Sequence, residues 1–225
     1  MDAKVKQAFD AGIQLYAQVE GADATALKTA LQSAFDQDAP FMDKVEALDQ
    51  AFDDDQAFEE LREVYFDLLM VNFFAEDVQK LEEDYLDSPE WEAIEEETID
   101  RGTELLNIFL YLKECADDDI EPSLEDYLKE FLLVEEDEFQ DEYTIYEKVI
   151  ANQILVESTY SEIGKVAASL SHQDELKELF YPLMAFFNEL NPDKAQLDEF
   201  LETSTNKAWD GAIYQIIANF NKKSS

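Results

Sequence analysis

Apolar residues recur at three- and four-residue intervals along almost the whole chain, and nowhere does a two-residue alternation last long enough to read as a strand. That periodicity predicts helices. Val5, Phe9, Ile13 and Tyr16 fall on one side of a first helix over 2–19, which Gly21 is placed to end. Shorter helices near 23–36 and 40–53 follow. The octets LQSAFDQD from Leu31 and LDQAFDDD from Leu48 echo one another, and no longer repeat develops from them.

Residues 56–86 place Phe58, Leu61, Tyr65, Leu68, Asn72 and Phe73 along one stripe. Between Val64 and Ala75 the pattern is apolar nearly all round, which predicts a central helix buried on several sides. Ser88 followed by Pro89 gives an N-cap and a first-turn proline, from which a helix is expected to run to about Cys115 with Trp91, Ile94, Leu105, Phe109 and Leu112 inward. Ser123 and Asp126 are spaced as a weak capping pair for a shorter helix.

The segment LVEEDEFQDEY, 133–143, then leads into a helix expected to reach about Leu170. One apolar row holds Phe139, Tyr143, Tyr146, Ile150 and Ile154, and a second holds Val149, Val156, Tyr160 and Ile163. At 1.5 Å per residue such a helix would be about 45 Å long. Ser171 is expected to cap a helix through Leu190, Asn191 and Pro192 start another, and the last, from Asn206, puts Trp209, Ile213, Ile216 and Phe220 on one face. The expected fold is all-α, a multi-helix bundle or irregular α-array with long central helices and an acidic outer face. It is read as one domain over 1–225, with a subdivision into a short-helix part, 1–55, and a main bundle, 56–225, as the alternative.

Composition sharpens this picture. The 225 residues carry a formal charge of −39, yet 46% are hydrophobic, with 16 Phe, 10 Tyr and 2 Trp, an aromatic content foreign to acidic disordered tails. A folded surface therefore bears the charge. Residues 51–150 hold 35 acids against six bases, 29 of the 39 net negative charges, and this asymmetry points to a partner on one face or to a solvated face. One cysteine, Cys115, precludes an internal disulfide framework and fits a reducing, cytoplasmic compartment. The first twenty residues are amphipathic rather than signal-like, and the apolar run at 64–75 is too short to span a membrane.

Several chemistries are excluded or lack a signal. The five glycines lie apart from one another, so neither a Walker loop nor a dinucleotide fingerprint can be built. His172 is the only histidine, which removes centres needing two, and it reads as a surface or capping residue. Cys115 sits beside Glu114 and near Asp117, which raise a thiol pKa, so an inert thiol is expected. Calcium loops begun at Asp53 or Asp117 put Phe58 or Pro122 where glycine is needed and Val64 or Leu128 where the bidentate Glu belongs. No metal or cofactor is expected. Only two arginines, Arg62 and Arg101, exist, both within the acidic half, so direct nucleic-acid binding is not expected either.

The acids themselves form the candidate site. Glu92, Glu96, Asp100 and Glu104 recur every four residues, as do Glu59, Glu63 and Asp67, joined by Glu60. Side chains four apart on a helix share a face, so these read as ridges of like charge. Glu135, Glu136, Asp137, Glu138, Asp141 and Glu142 crowd a third segment, which Phe139 and Tyr143 are expected to tie to the core. Twenty-nine charges correspond to about 50 Å of duplex at one charge per 1.7 Å. The reading is an acidic, non-enzymatic helical protein that covers a basic surface of a partner protein, as a nucleic-acid mimic or as a nuclease inhibitor or immunity protein. A helical scaffold or chaperone-like module with a merely solvated face is the alternative, and a helical enzyme using carboxylates is the third. Crowding of the acids is also expected to raise their folded-state pKa values.

Overall fold

A computed structural model describes residues 1–76, 83–132 and 139–222. The protein is all-α, and no strand occurs among the described residues. Helix α1 (Ala3–Glu20) is capped by the Asp2 carboxylate, which accepts from the Lys4 and Val5 amides, and it ends at Gly21 in the left-handed region. α2 (Thr25–Asp36) and α3 (Phe41–Asp54) pack on each other, and a 3-10 segment, Gln56–Leu61, leads into α4 (Arg62–Glu76). α5 (Glu83–Leu86), α6 (Pro89–Thr98), α7 (Leu105–Asp117) and α8 (Leu124–Asp126) follow, and a π-helical turn, Tyr127–Leu132, comes after α8. The remainder comprises α9 (Phe139–Ala151), a 3-10 turn (Gln153–Glu157), α10 (Tyr160–Ser169), α11 (Lys177–Asn188), α12 (Lys194–Thr203) and α13 (Lys207–Asn221).

Two helices organise the core. α4 packs on α1, α3 and α7, and α13 packs on α1, α7, α11 and α12, so α1 and α7 bridge the two. Every residue from Val64 to Val71 is buried, the burial that an all-round apolar pattern requires. α1 and α13 run antiparallel: Leu15 lies against Gly211, Gly12 against Ile216, and the Lys4 ammonium is 5.9 Å from the Phe220 ring centre. A Cβ on Gly12 would sit 2.4 Å from Ile216 Cγ1, so the small residue sets how closely these helices approach.

Tyrosines fill much of the centre, and their hydroxyls are satisfied there. Tyr65 donates to the Phe9 carbonyl at 2.7 Å, and Tyr214 donates to that of Glu189 at 2.7 Å. Tyr127 and Tyr146 share a 2.7 Å hydrogen bond. A buried phenol without such a partner would cost about 1–3 kcal/mol.

The long central helices differ from expectation. The stretch from Ser88 breaks after Thr98, where residues 99–104 form a loop with Gly102 at φ +84°. The stretch towards Leu170 breaks after Ala151, and a capping box of Thr159 and Glu162 starts α10 afresh. Ile154, placed inward by periodicity, is therefore 70% exposed, and Tyr143 is 44% exposed. Ser171 heads a turn rather than a helix, its amide donating to the Asp174 carboxylate at 2.7 Å, and α11 begins six residues later.

Candidate functional site

The structure disperses the predicted ridges and gathers some of their members elsewhere. Asp67 is 1% exposed and cannot face a partner. Its carboxylate accepts from the Thr103 amide at 3.0 Å and the Thr103 hydroxyl at 2.5 Å, while Glu63, one turn earlier on α4, accepts from the Gly102 amide at 2.7 Å. These two acids capture the 99–104 loop, which is why the helix breaks there. Asp100 lies in that loop and Glu104 at the N-terminus of α7, so neither continues the Glu92–Glu96 row of α6. Glu135, Glu136, Asp137 and Glu138 lie outside the described residues; Asp141 and Glu142 belong to α9, and their side chains lie outside the description too.

Both arginines are consumed within the same neighbourhood. Arg62 pairs with Asp53 at 2.6 Å, Glu59 at 2.8 Å and Asp49 at 3.3 Å, and Arg101 pairs with Asp49 at 2.9 Å and Glu63 at 3.0 Å. The Arg101 guanidinium also lies 4.8 Å from the Phe66 ring centre. Burial opposes its charge, but the bonds to Asp49 and Glu63 more than offset that and raise its pKa.

Beside this network lies a cleft between the start of α4, the 99–104 loop, the 171–177 turn and the start of α13. It consists of two adjoining hollows of about 570 and 500 Å³ that share Glu60, Glu175, Glu178 and Trp209. The indole of Trp209 is half-buried and fixed by a 3.0 Å bond from Nε1 to the Glu178 carbonyl. Glu63 and Glu104 complete one hollow, and Asp174 and Asp210 the other.

Its carboxylates differ in what they are free to do. Glu104 accepts from Asn107 at 3.0 Å and from the Tyr146 hydroxyl at 3.1 Å, whereas Glu60, Glu175 and Glu178 are exposed with no ion-pair partner among the described residues. Glu60 accepts only the Tyr16 hydroxyl, at 3.2 Å, and burial together with that neighbour pushes the phenol up to about 12. The arginine and lysine of the cleft are occupied: Arg101 is paired, and Lys177 donates to the Leu170 and Ala167 carbonyls at 2.7 and 3.2 Å. Burial raises the Asp210 carboxyl to about 6, against a bond from the Ser204 hydroxyl. Sequence spacing identified Glu60, Glu63 and Glu104; it missed Glu175, Glu178 and Trp209, which reach the cleft from roughly seventy or more residues further along the chain.

The row on α6 stands apart. Glu90, Glu92, Glu95, Glu96 and Glu97 are all exposed, and the helix is held through buried Ile94 and through Trp91, whose ring centre lies 5.2 Å from that of Phe74. Among the described residues no cluster has the composition to hold a metal ion, and no helix is long and apolar enough to cross a membrane. Cys115 is buried, and burial raises its thiol pKa. No protein family, curated protein or solved structure matches the chain.

Proposed function

We propose that this protein binds a basic surface of a partner protein, of the kind found on nucleic-acid-binding proteins and nucleases, and that the Trp209 cleft receives a lysine or arginine of that partner. The observation that carries the reading is the pairing of a fixed indole with Glu60, Glu175 and Glu178, three exposed carboxylates lacking a cation, in a cleft whose own arginine and lysine are already engaged. An aromatic face and carboxylates together suit a guanidinium or ammonium group. The exposed glutamates of α6 would add long-range steering, which acts on association rate more than on affinity. A straight duplex-like ridge of about 50 Å has less support, because a ten-residue helix such as α6 spans about 15 Å.

Affinity capture from native lysate, eluted by a salt gradient, tests this with three baits: the wild type, Glu175→Lys/Glu178→Lys, and Glu92→Lys/Glu96→Lys. The expected result is one dominant basic protein that resists moderate salt on the wild type and the α6 variant and elutes early from the cleft variant. A broad early-eluting mixture on all three would reduce the acidic surface to a solvated one and overturn the proposal. Loss on the α6 variant alone would move the contact out of the cleft.

A further inference from the structure

A second groove shares no lining residue with the Trp209 cleft. It runs between the turn after α7, the 3-10 turn Gln153–Glu157 and the end of α11, as two hollows of about 860 and 690 Å³ joined through Glu121, Pro122, Leu190 and Asn191. Its apolar lining includes Leu190, Val156 and Phe187, and at its edges stand Ile120 and Ile154, 54% and 70% exposed. Isolated exposed isoleucines are ordinary, but two flanking one groove that also presents Leu190, Val156 and Phe187 make it a candidate docking surface.

Both isoleucines are held outward by hydrogen bonds in their surroundings. Asn188 Nδ2 donates to the Val156 carbonyl at 2.8 Å and the Ser158 carbonyl at 2.9 Å, which fastens the 3-10 turn to α11 with Leu155 inward and Ile154 outward. On the other edge Asp119 adopts φ +54°, the Ile120 amide donates to the Cys115 carbonyl at 2.8 Å, and the Tyr111 hydroxyl both donates to and accepts from the Ser123 backbone. A non-glycine residue in the left-handed region carries strain, which the surrounding bonds sustain. The groove is thus preformed rather than dependent on its occupant.

Charge selects that occupant. The hollow beside Ile154 is bordered by Glu121, Glu125, Glu157 and Glu189 and lined by no base, while the hollow beside Ile120 sets Asp117, Asp119 and Glu121 against Lys4 and Lys222, so the groove as a whole is acidic. Glu125 is paired with Lys129 and Glu189 accepts from Asn191 and Gln196, which leaves Glu121 and Glu157 exposed with no ion-pair partner among the described residues. An anionic lipid surface would be repelled, as would a second copy of a chain with net charge −39.

We infer that this groove binds a basic amphipathic helix of a partner protein, with apolar residues at three- and four-residue spacing against Ile120, Ile154 and Leu190 and with lysines or arginines opposite Glu121 and Glu157. The surface is independent of the Trp209 cleft.

The test uses a synthetic amphipathic peptide of leucine at helical spacing with lysine elsewhere, and a scrambled peptide of the same composition, titrated by fluorescence anisotropy at about 150 mM salt, near the physiological ionic strength. Ile120→Glu and Ile154→Glu should each weaken the amphipathic peptide about tenfold or more, because each loses apolar contact and sets a carboxylate against the peptide's leucines, a burial cost that exceeds its added attraction for the lysines. Ile99→Glu, at an exposed isoleucine outside the groove, should change it less than about threefold. Circular dichroism checks that each variant is folded, which the exposure of all three positions favours. Equal affinity for the scrambled peptide, or an equal effect of Ile99→Glu, would overturn the inference. Self-association in sedimentation velocity that Ile154→Glu abolishes would also overturn it, by assigning the groove to a second copy. Because none of these variants touches Trp209, Glu175 or Glu178, failure here and failure of the cleft reading are separate results.

Discussion

Asp67 and Asp210 are the carboxyls whose pKa values rise most clearly, and burial leads the causes at both; like-charge neighbours are minor at Asp67 and absent from the causes at Asp210. Burial rather than crowding therefore raises them. The sign for Asp210 follows from its rise from 3.8 to about 6. Below the ordinary value both folded and unfolded chains hold the proton; between the two values only the folded chain does; above about 6 both are ionised and the folded state bears the full burial penalty. Lowering pH from 7 to 4 should stabilise the fold through this residue by roughly 2–3 kcal/mol. Asp210→Asn should remove that part of the gain, flattening the rise in urea midpoint over the same range. An unchanged slope would show that the carboxyl is not held up by its surroundings.

At the scale of elements, the 99–104 loop is fixed by side chains that sequence spacing had placed on a solvent-facing ridge. Arg101→Ala should destabilise the protein by about 1–3 kcal/mol, since it leaves Asp49 and Glu63 without a shared cation. The loop amides should then exchange faster with deuterated solvent than those of α4 and α7, and protection equal to wild type would disprove the role. Periodicity made most helices legible, α1 and α13 almost to the residue, because their apolar stripes and the caps at Asp2, Gly21 and Asn206 agree, whereas the helix expected over 56–86 opens as a 3-10 segment and α4 covers only Arg62–Glu76 of it. It ran through the breaks at 99–104 and 152–159 because an apolar stripe resumes on the same spacing after each loop. Gly102 and the Thr159 and Glu162 pair were the signals that could have stopped it. The cleft was legible only in part: Glu60, Glu63 and Glu104 stood out as acids, but no local pattern announces that Glu175, Glu178 and Trp209 fold against them.

For the whole molecule, 55 acids against 16 bases leave strong self-repulsion even with the ion pairs described above. Raising salt from about 10 to 500 mM should increase the thermal midpoint, because screening relieves repulsion over distances beyond about 10 Å more than it weakens the few half-buried pairs. A falling midpoint would mean that the pairs dominate. The antiparallel pairing of α1 with α13 has a different consequence, one for biosynthesis. Gly12 and Leu15, the α1 residues against α13, are synthesised roughly two hundred residues before their partners Ile216 and Gly211. Phe35 and Tyr65 can cover Phe9 soon after α1 is made, but the Gly12 and Leu15 side keeps an open apolar surface until α13 is synthesised, and this part of the core closes only then.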